Sequence, residues 1–319
     1  MPKSWVEKNN LKPGDLINVD EGSADLVLSP NILEEAKKLK EIIIEVENKS
    51  LNLIKTEIVS AYLNNYNTIE LIGKNLDKHV IEIKGIVRNL TGLEIMEQTS
   101  TRLVSRDLIN VSDISIQNII KRMDMITRAM IDDAILCLEK KCHYQSVEHR
   151  DADINRLYYL GFRTIKNAMN NPMVAKKLDM NMWELHSGKM IMMRIEEIAD
   201  RQKRICKLFS EADLNEDTLD EFRKIKQDLR QRYHNVMKAY YNDDKKIAYN
   251  IETTNKAFIG KCNKFLETLC PECQDSEKGK TADSNISIQS TVAKAKIIED
   301  TKATITFIKY IARTVLNID

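Results

Sequence analysis

From Ile116 onward one pattern dominates this chain: long runs in which apolar residues recur at helical spacing. Ile116, Ile119, Ile120, Met123, Ile126, Met130, Ala134 and Cys137 form a stripe over more than about five turns, and Ser112 or Asp113 is placed to cap its start. A second run over 146–170 stops before Pro172, which cannot continue a helix, and a third covers 182–209. The order then recurs over 219–242, 244–269 and 291–316, so an internal duplication into two three-helix bundles, 111–212 and 213–319, is expected. Composition agrees with a mainly α fold: 30% of residues are charged, 6% are aromatic, and Gly and Pro number 9 and 5.

The first 110 residues have a different rhythm. A short helix ending at the Pro13-Gly14 turn precedes two strands, 16–19 and 26–29, and this hairpin has little to pack against. Residues 31–110 then switch between periods of two and 3.6. Strands are expected at 41–46 and 68–72, helices at 51–62 and 76–90, and a strand or strand pair at 93–105, with Gly92 as a helix C-cap. The order β-α-β-α-β-β implies a small α+β domain. Gly73, Gly85 and Gly92 are isolated, so nothing here has the form of a nucleotide-binding loop, and Tyr62 and Tyr66 read as packing positions.

Several function classes lose support at this level. Lys+Arg total 49 against 48 Asp+Glu, and a net charge of +1 supplies no overall field for nucleic acid or a membrane surface. No stretch approaches the roughly 18 apolar residues of a spanning helix, and the N-terminus carries no basic-then-apolar leader, so the chain reads as cytoplasmic with no integral membrane segment. Six cysteines are then expected to stay free thiols. Cys270 and Cys273 form a lone CxxC in a polar connection, half of a zinc site, while Cys137, Cys142 and Cys206 read as core or flank residues. The histidines, His79, His143, His149, His186 and His234, do not space like a metal motif, and no nucleophile–base arrangement can be built. No enzyme activity is expected. The 13 methionines, Met190, Met192 and Met193 among them, suit an adaptable core or a docking surface.

The charged row on the third long helix is the main chemical feature. Glu196 and Asp200 stand four residues apart and share a face, where they can bind a cation together or pair with bases one turn on. Asp200 has Arg204 at that distance and Glu197 has Arg201, while Lys203 lies on the same side. Two readings follow from the residues alone: a salt-bridged polar face, or half of a carboxylate metal site.

Two stretches, "RDADINRLYYLGFR" at 150–163 and "RIEEIADRQKRI" at 194–205, resemble the signatures of the PhoU family, whose members are built from two three-helix repeats. Residues 2–15, "PKSWVEKNNLKPGD", with the strand pair that follows, resemble the second half of the swapped-hairpin (SpoVT/AbrB-like) DNA-binding domain. The order is similar to the archaeal phosphate-uptake-regulator type and covers essentially the whole chain, as 1–30 partial hairpin, 31–110 small α+β domain, and the two repeats.

The resemblance implies iron, manganese or magnesium at the first repeat, held by Asp151, Asn155, Glu196 and Asp200, with Asn155 standing where the family has a second carboxylate and Asp153 as a stand-in on another face. At the second repeat Lys302 and Thr306 occupy the corresponding places, with Glu299 and Asp300 near but out of phase, and "NIETTNKAF" at 250–258 offers only Glu252. It also implies a homodimeric regulator of phosphate uptake or signalling that binds a transporter ATPase or a signalling protein. A second reading is a transcription regulator that contacts DNA through the hairpin, for which Lys3, Lys8 and Lys12 are the basic residues at hand. A metal-binding bundle is the third. The first strand and basic loop of the hairpin family would precede Met1, so that block is expected to be truncated, and a dimerisation or docking hairpin is the other reading of it.

Overall fold

A computed structural model describes residues 1–21, 26–30, 39–138, 144–212, 214–269 and 284–318. The chain divides into two compact units, Met1–Glu41 and Ile42–Asp319. In the first, helix α1 (Lys3–Lys8) starts behind Pro2 and stops at Asn9 and Asn10, the latter at φ +51°. Strands β1 (Ile17–Glu21) and β2 (Leu26–Pro30) pair antiparallel with Val19 opposite Leu28. Leu16, Val19 and Leu26 are exposed, as expected of a hairpin with little core of its own.

The second unit opens with β3 (Glu41–Glu45), α2 (Leu51–Leu63), β4 (Thr68–Ile72), α3 (Leu76–Arg88), β5 (Leu93–Gln98) and β6 (Arg102–Asp107). The expected β-α-β-α-β-β order holds, and the strands form one sheet in the order β3-β4-β6-β5. Ile44, Ile69, Leu71 and Leu103 of the sheet share a buried core with Ile54, Ile58 and Tyr62 of α2 and with Leu76 and Ile83 of α3. Gly92 does not cap α3. Asn89 does, and Gly92 leads into β5 at φ +88°, where a Cβ would strike Ile109 at 2.6 Å.

After a 3-10 turn at Val111–Asp113 come α4 (Ile116–Cys137), α5 (Tyr144–Asn170), α6 (Pro172–Lys177), α7 (Met182–Leu208), α8 (Glu216–Asn242), α9 (Lys245–Leu269) and α10 (Ser284–Leu316). The described part of the molecule is therefore mainly helical. Ser115, rather than Ser112 or Asp113, caps α4, because those two residues are spent in the preceding turn. Pro172 ends α5 as expected but also opens the unforeseen α6, since proline at the first helical position gives up only an N–H that would be orphaned anyway. Helix α7 opens with a reciprocal capping box between Asn181 and Glu184. α10 starts upstream of the expected 291.

Cys137, expected as a free thiol, is disulfide-bonded, whereas Cys206 and Cys262 are buried and in no disulfide. The expectation rested on redox compartment, which does not decide geometry. Cys142, His143, Cys270 and Cys273 lie outside the described residues. Among the described residues no helix is long and apolar enough to cross a membrane.

One apolar core runs through α4, α5 and α7 and on through α8, α9 and α10. Helix α7 is its axis, packed against α4, α5 and α10. At Gly161 the helices come so close that a Cβ would overlap the Met192 sulfur. The α+β layer is fastened to α5 by Arg163, whose side chain is only 2% exposed. Its guanidinium pairs with the equally buried Asp107 at the end of β6, donates to Asn65 Oδ1 at 2.9 Å, and stacks 4.5 Å above the Tyr62 ring. Lys166 adds a 2.7 Å bond to Asn64 one turn further along.

Removing one partner of a buried pair strands the other without solvent. Arg163→Met is therefore expected to cost about 3–5 kcal/mol in urea unfolding, and adding Asp107→Asn should recover part of the loss, the coupling a double-mutant cycle reads.

Candidate functional site

The row on α7 faces two ways. Toward α10, Arg201 Nη1 bonds Asp300 Oδ1 at 2.8 Å, Arg204 Nε lies 3.6 Å from Asp300 Oδ2, and Arg194 stacks 4.7 Å from the Tyr310 ring centre while bonding Glu197 at 2.7 Å. The expected Glu197–Arg201 pair is replaced by these contacts, because a half-buried arginine gains more from the well-buried Asp300 than from a neighbour on its own helix. Between them Gln202, fully buried, donates to Thr304 Oγ1 at 3.2 Å and accepts from Lys226 Nζ at 2.6 Å. Lys226 is itself fully buried, and burial draws its pKa down to about 8.

Toward α5, Lys203 Nζ lies 2.6 Å from Asp151 Oδ2 and 3.3 Å from Asp200 Oδ1, and Arg204 Nη1 lies 3.7 Å from the other Asp200 oxygen. Asn155 turns its amide nitrogen, not its carbonyl, toward the same Asp151 oxygen at 3.2 Å. Burial pulls the Lys203 ammonium down, but its bonds to Asp151 and Asp200 outweigh this and leave its pKa raised. Glu196 has no hydrogen bond or ion pair among the described residues. Burial, then Asp200, Glu197 and Asp151, push its carboxyl up to about 7, with Lys203 only partly opposing them.

Beside this cluster a cavity of 490 Å³ opens between the α+β layer and the bundle. Lys55 and Asn89 line it from one side, and Tyr144, Asp151, Asn155 and Lys203 from the other. It mixes both signs of charge with hydrogen-bonding groups over an apolar floor that includes Ile86 and Leu90.

The structure thus brings Asp151, Asn155 and Asp200 to one place, with Glu196 along the same row, but closes the gap with an ammonium. These residues as arranged do not fit iron, manganese or magnesium: Lys203 holds the place between an oxygen of Asp151 and one of Asp200, Asn155 offers its amide nitrogen rather than its carbonyl, and among the described residues no group of three or more His, Cys, Asp or Glu is set to hold a metal ion. Asp153 is exposed. In the second triplet Lys302 bonds Glu299 at 2.8 Å, Thr306 caps back onto its own helix, Asp300 serves the α7 arginines, and Glu252 holds Arg313 through two bonds at 2.8 and 3.1 Å. Lys3, Lys8 and Lys12 are exposed in the first unit, with Lys3 3.9 Å from Glu7.

The residues that sequence reasoning passed over are Arg163, Gln202 and Lys226. The first two lie inside the quoted stretches, and the available signal was a long polar side chain standing in phase with buried neighbours such as Leu160 and Ile198. Cys206 and Cys262, pushed up by burial to about 12 and about 11, are not poised as reactive thiolates. Comparison with protein-family models, with curated proteins and with solved structures finds no match.

Glu196 supplies a pH test. A carboxyl whose folded pKa is raised adds stability below its ordinary value near 4.5 and loses it as pH climbs through about 7. Glu196→Gln should therefore match the wild type in thermal unfolding near pH 4. It should be more stable near pH 8, by about 1 kcal/mol once solvent screening of this part-exposed group is allowed for.

Proposed function

We propose that this chain is a regulator similar to the PhoU family, a helical adaptor that couples phosphate status to a phosphate-transporter ATPase or a signalling protein by binding, without chemistry of its own. The observation that carries the reading is the meeting of its two signature stretches: Asp151 of the first and Lys203 and Asp200 of the second join across α5 and α7. That junction borders the cavity between the α+β layer and the bundle. Such a cavity lets a small ligand bias how a partner is held, because any ligand that favours one arrangement shifts the population toward it.

A homodimer belongs to the same proposal. The transcriptional reading is favoured by one observation, the separate first unit with Lys3, Lys8 and Lys12 exposed on and beside its helix.

Purified full-length chain mixed with the phosphate-transporter ATPase from the same genome is the direct test. Saturable binding whose affinity changes with inorganic phosphate is expected, and absence of binding at every phosphate level would sink the adaptor reading. Duplex DNA titrated by fluorescence anisotropy addresses the other. A salt dependence of about two to three released counterions is expected if the three lysines contact phosphates, and no binding at low salt counts against it.

A further inference from the structure

We infer that Lys203 is a built-in counter-cation: its ammonium holds the place between Asp151 of α5 and Asp200 of α7 that a divalent cation would otherwise take. The inference rests on the contacts of these two helices and not on the proposed regulatory role.

Geometry comes first. Lys203 Nζ reaches Asp151 Oδ2 at 2.6 Å and Asp200 Oδ1 at 3.3 Å, so it bridges oxygens from two helices as a metal in a bundle does. Asp151 Oδ2 also receives the Asn155 amide at 3.2 Å, which leaves that oxygen doubly engaged. A magnesium or manganese ion needs carboxylate oxygens at about 2.0–2.1 Å, and to gain these two it must expel the ammonium. The displaced Lys203, whose side chain is 25% exposed, would then stand beside a second positive charge without its partners.

Charge leads to the same end. Asp151 and Asp200 are balanced by Lys203 and Arg204, and Glu197 by Arg194. Glu196 is the one carboxylate of the row without a partner among the described residues. The cluster keeps the donors of a cation site while supplying its own cation.

Removing the ammonium should uncover the site. Full-length protein stripped with chelator and then titrated with Mn²⁺ at pH 8 can be followed by electron paramagnetic resonance, which reads free Mn²⁺. Wild type is expected to leave the free signal unchanged under conditions where K203M binds one Mn²⁺ per chain at least about tenfold more tightly. K203R, which keeps the charge, should behave as wild type, and D151N placed on K203M should abolish the gain. K203Q, polar and uncharged, repeats the comparison should methionine disturb packing.

The inference is overturned if wild type binds Mn²⁺ one to one as tightly as K203M. It is also overturned if neither uncharged variant binds more tightly than wild type while its circular dichroism is unchanged, or if K203R acquires the site.

Discussion

Helix α7 has to cross a helical core while carrying a dense row of charges, and the cost of desolvating those charges organises what surrounds it. A charge moved out of water must find a partner or lose its proton. Arg194, Arg201 and Arg204 find theirs in Glu197, Asp300 and the rings of α10, and Lys203 finds Asp151 across the groove to α5. Glu196 finds none among the described residues, and its raised pKa follows from that. The row that looks like a site is thus first a set of solved burial problems, and its chemistry is what those solutions leave over.

The same rule explains the other buried polar groups. Arg163 would be prohibitive alone beneath the α+β layer, but Asp107 and Asn65 take its Nη2 and Nε donors and the face of Tyr62 lies against the guanidinium, with Nη1 the one group left without a hydrogen-bond partner among the described residues. Lys226, with Gln202 and Thr304, puts a directional polar seam into the contact between α7, α8 and α10, beside the Arg201–Asp300 pair. Lys226 deprived of Gln202 would be left as a buried cation without that acceptor, a cost apolar neighbours do not carry.

Most of the architecture was legible before any coordinates. The Ile116–Cys137 stripe, the β-α-β-α-β-β alternation and the break at Pro172 depend on local periodicity and backbone restriction, which neighbours in sequence decide, whereas the first helix ends at Asn9 and Asn10, ahead of the expected Pro13-Gly14 turn. The misses are instructive. Gly92 was expected to end a helix and instead begins a strand, since a positive φ serves either role and only the approach of Ile109 shows which. The cap of α4 moved to Ser115 because Ser112 and Asp113 were already taken by a turn, and Cys137 is bonded in spite of a composition that argued for free thiols.

For the site, the sequence by itself determined that Glu196 and Asp200 share a helix face and that Lys203 and Arg204 follow one turn on, because helical pitch allows nothing else. It left open whether that face holds a metal or closes on itself. Tertiary structure decided this by bringing α5 alongside α7, so that Asp151 meets Lys203 before it meets any ion, and by turning Arg201 away from Glu197 toward Asp300. Partner choice among charges depends on distance and burial across helices far apart in the chain. No spacing along a single helix encodes either quantity.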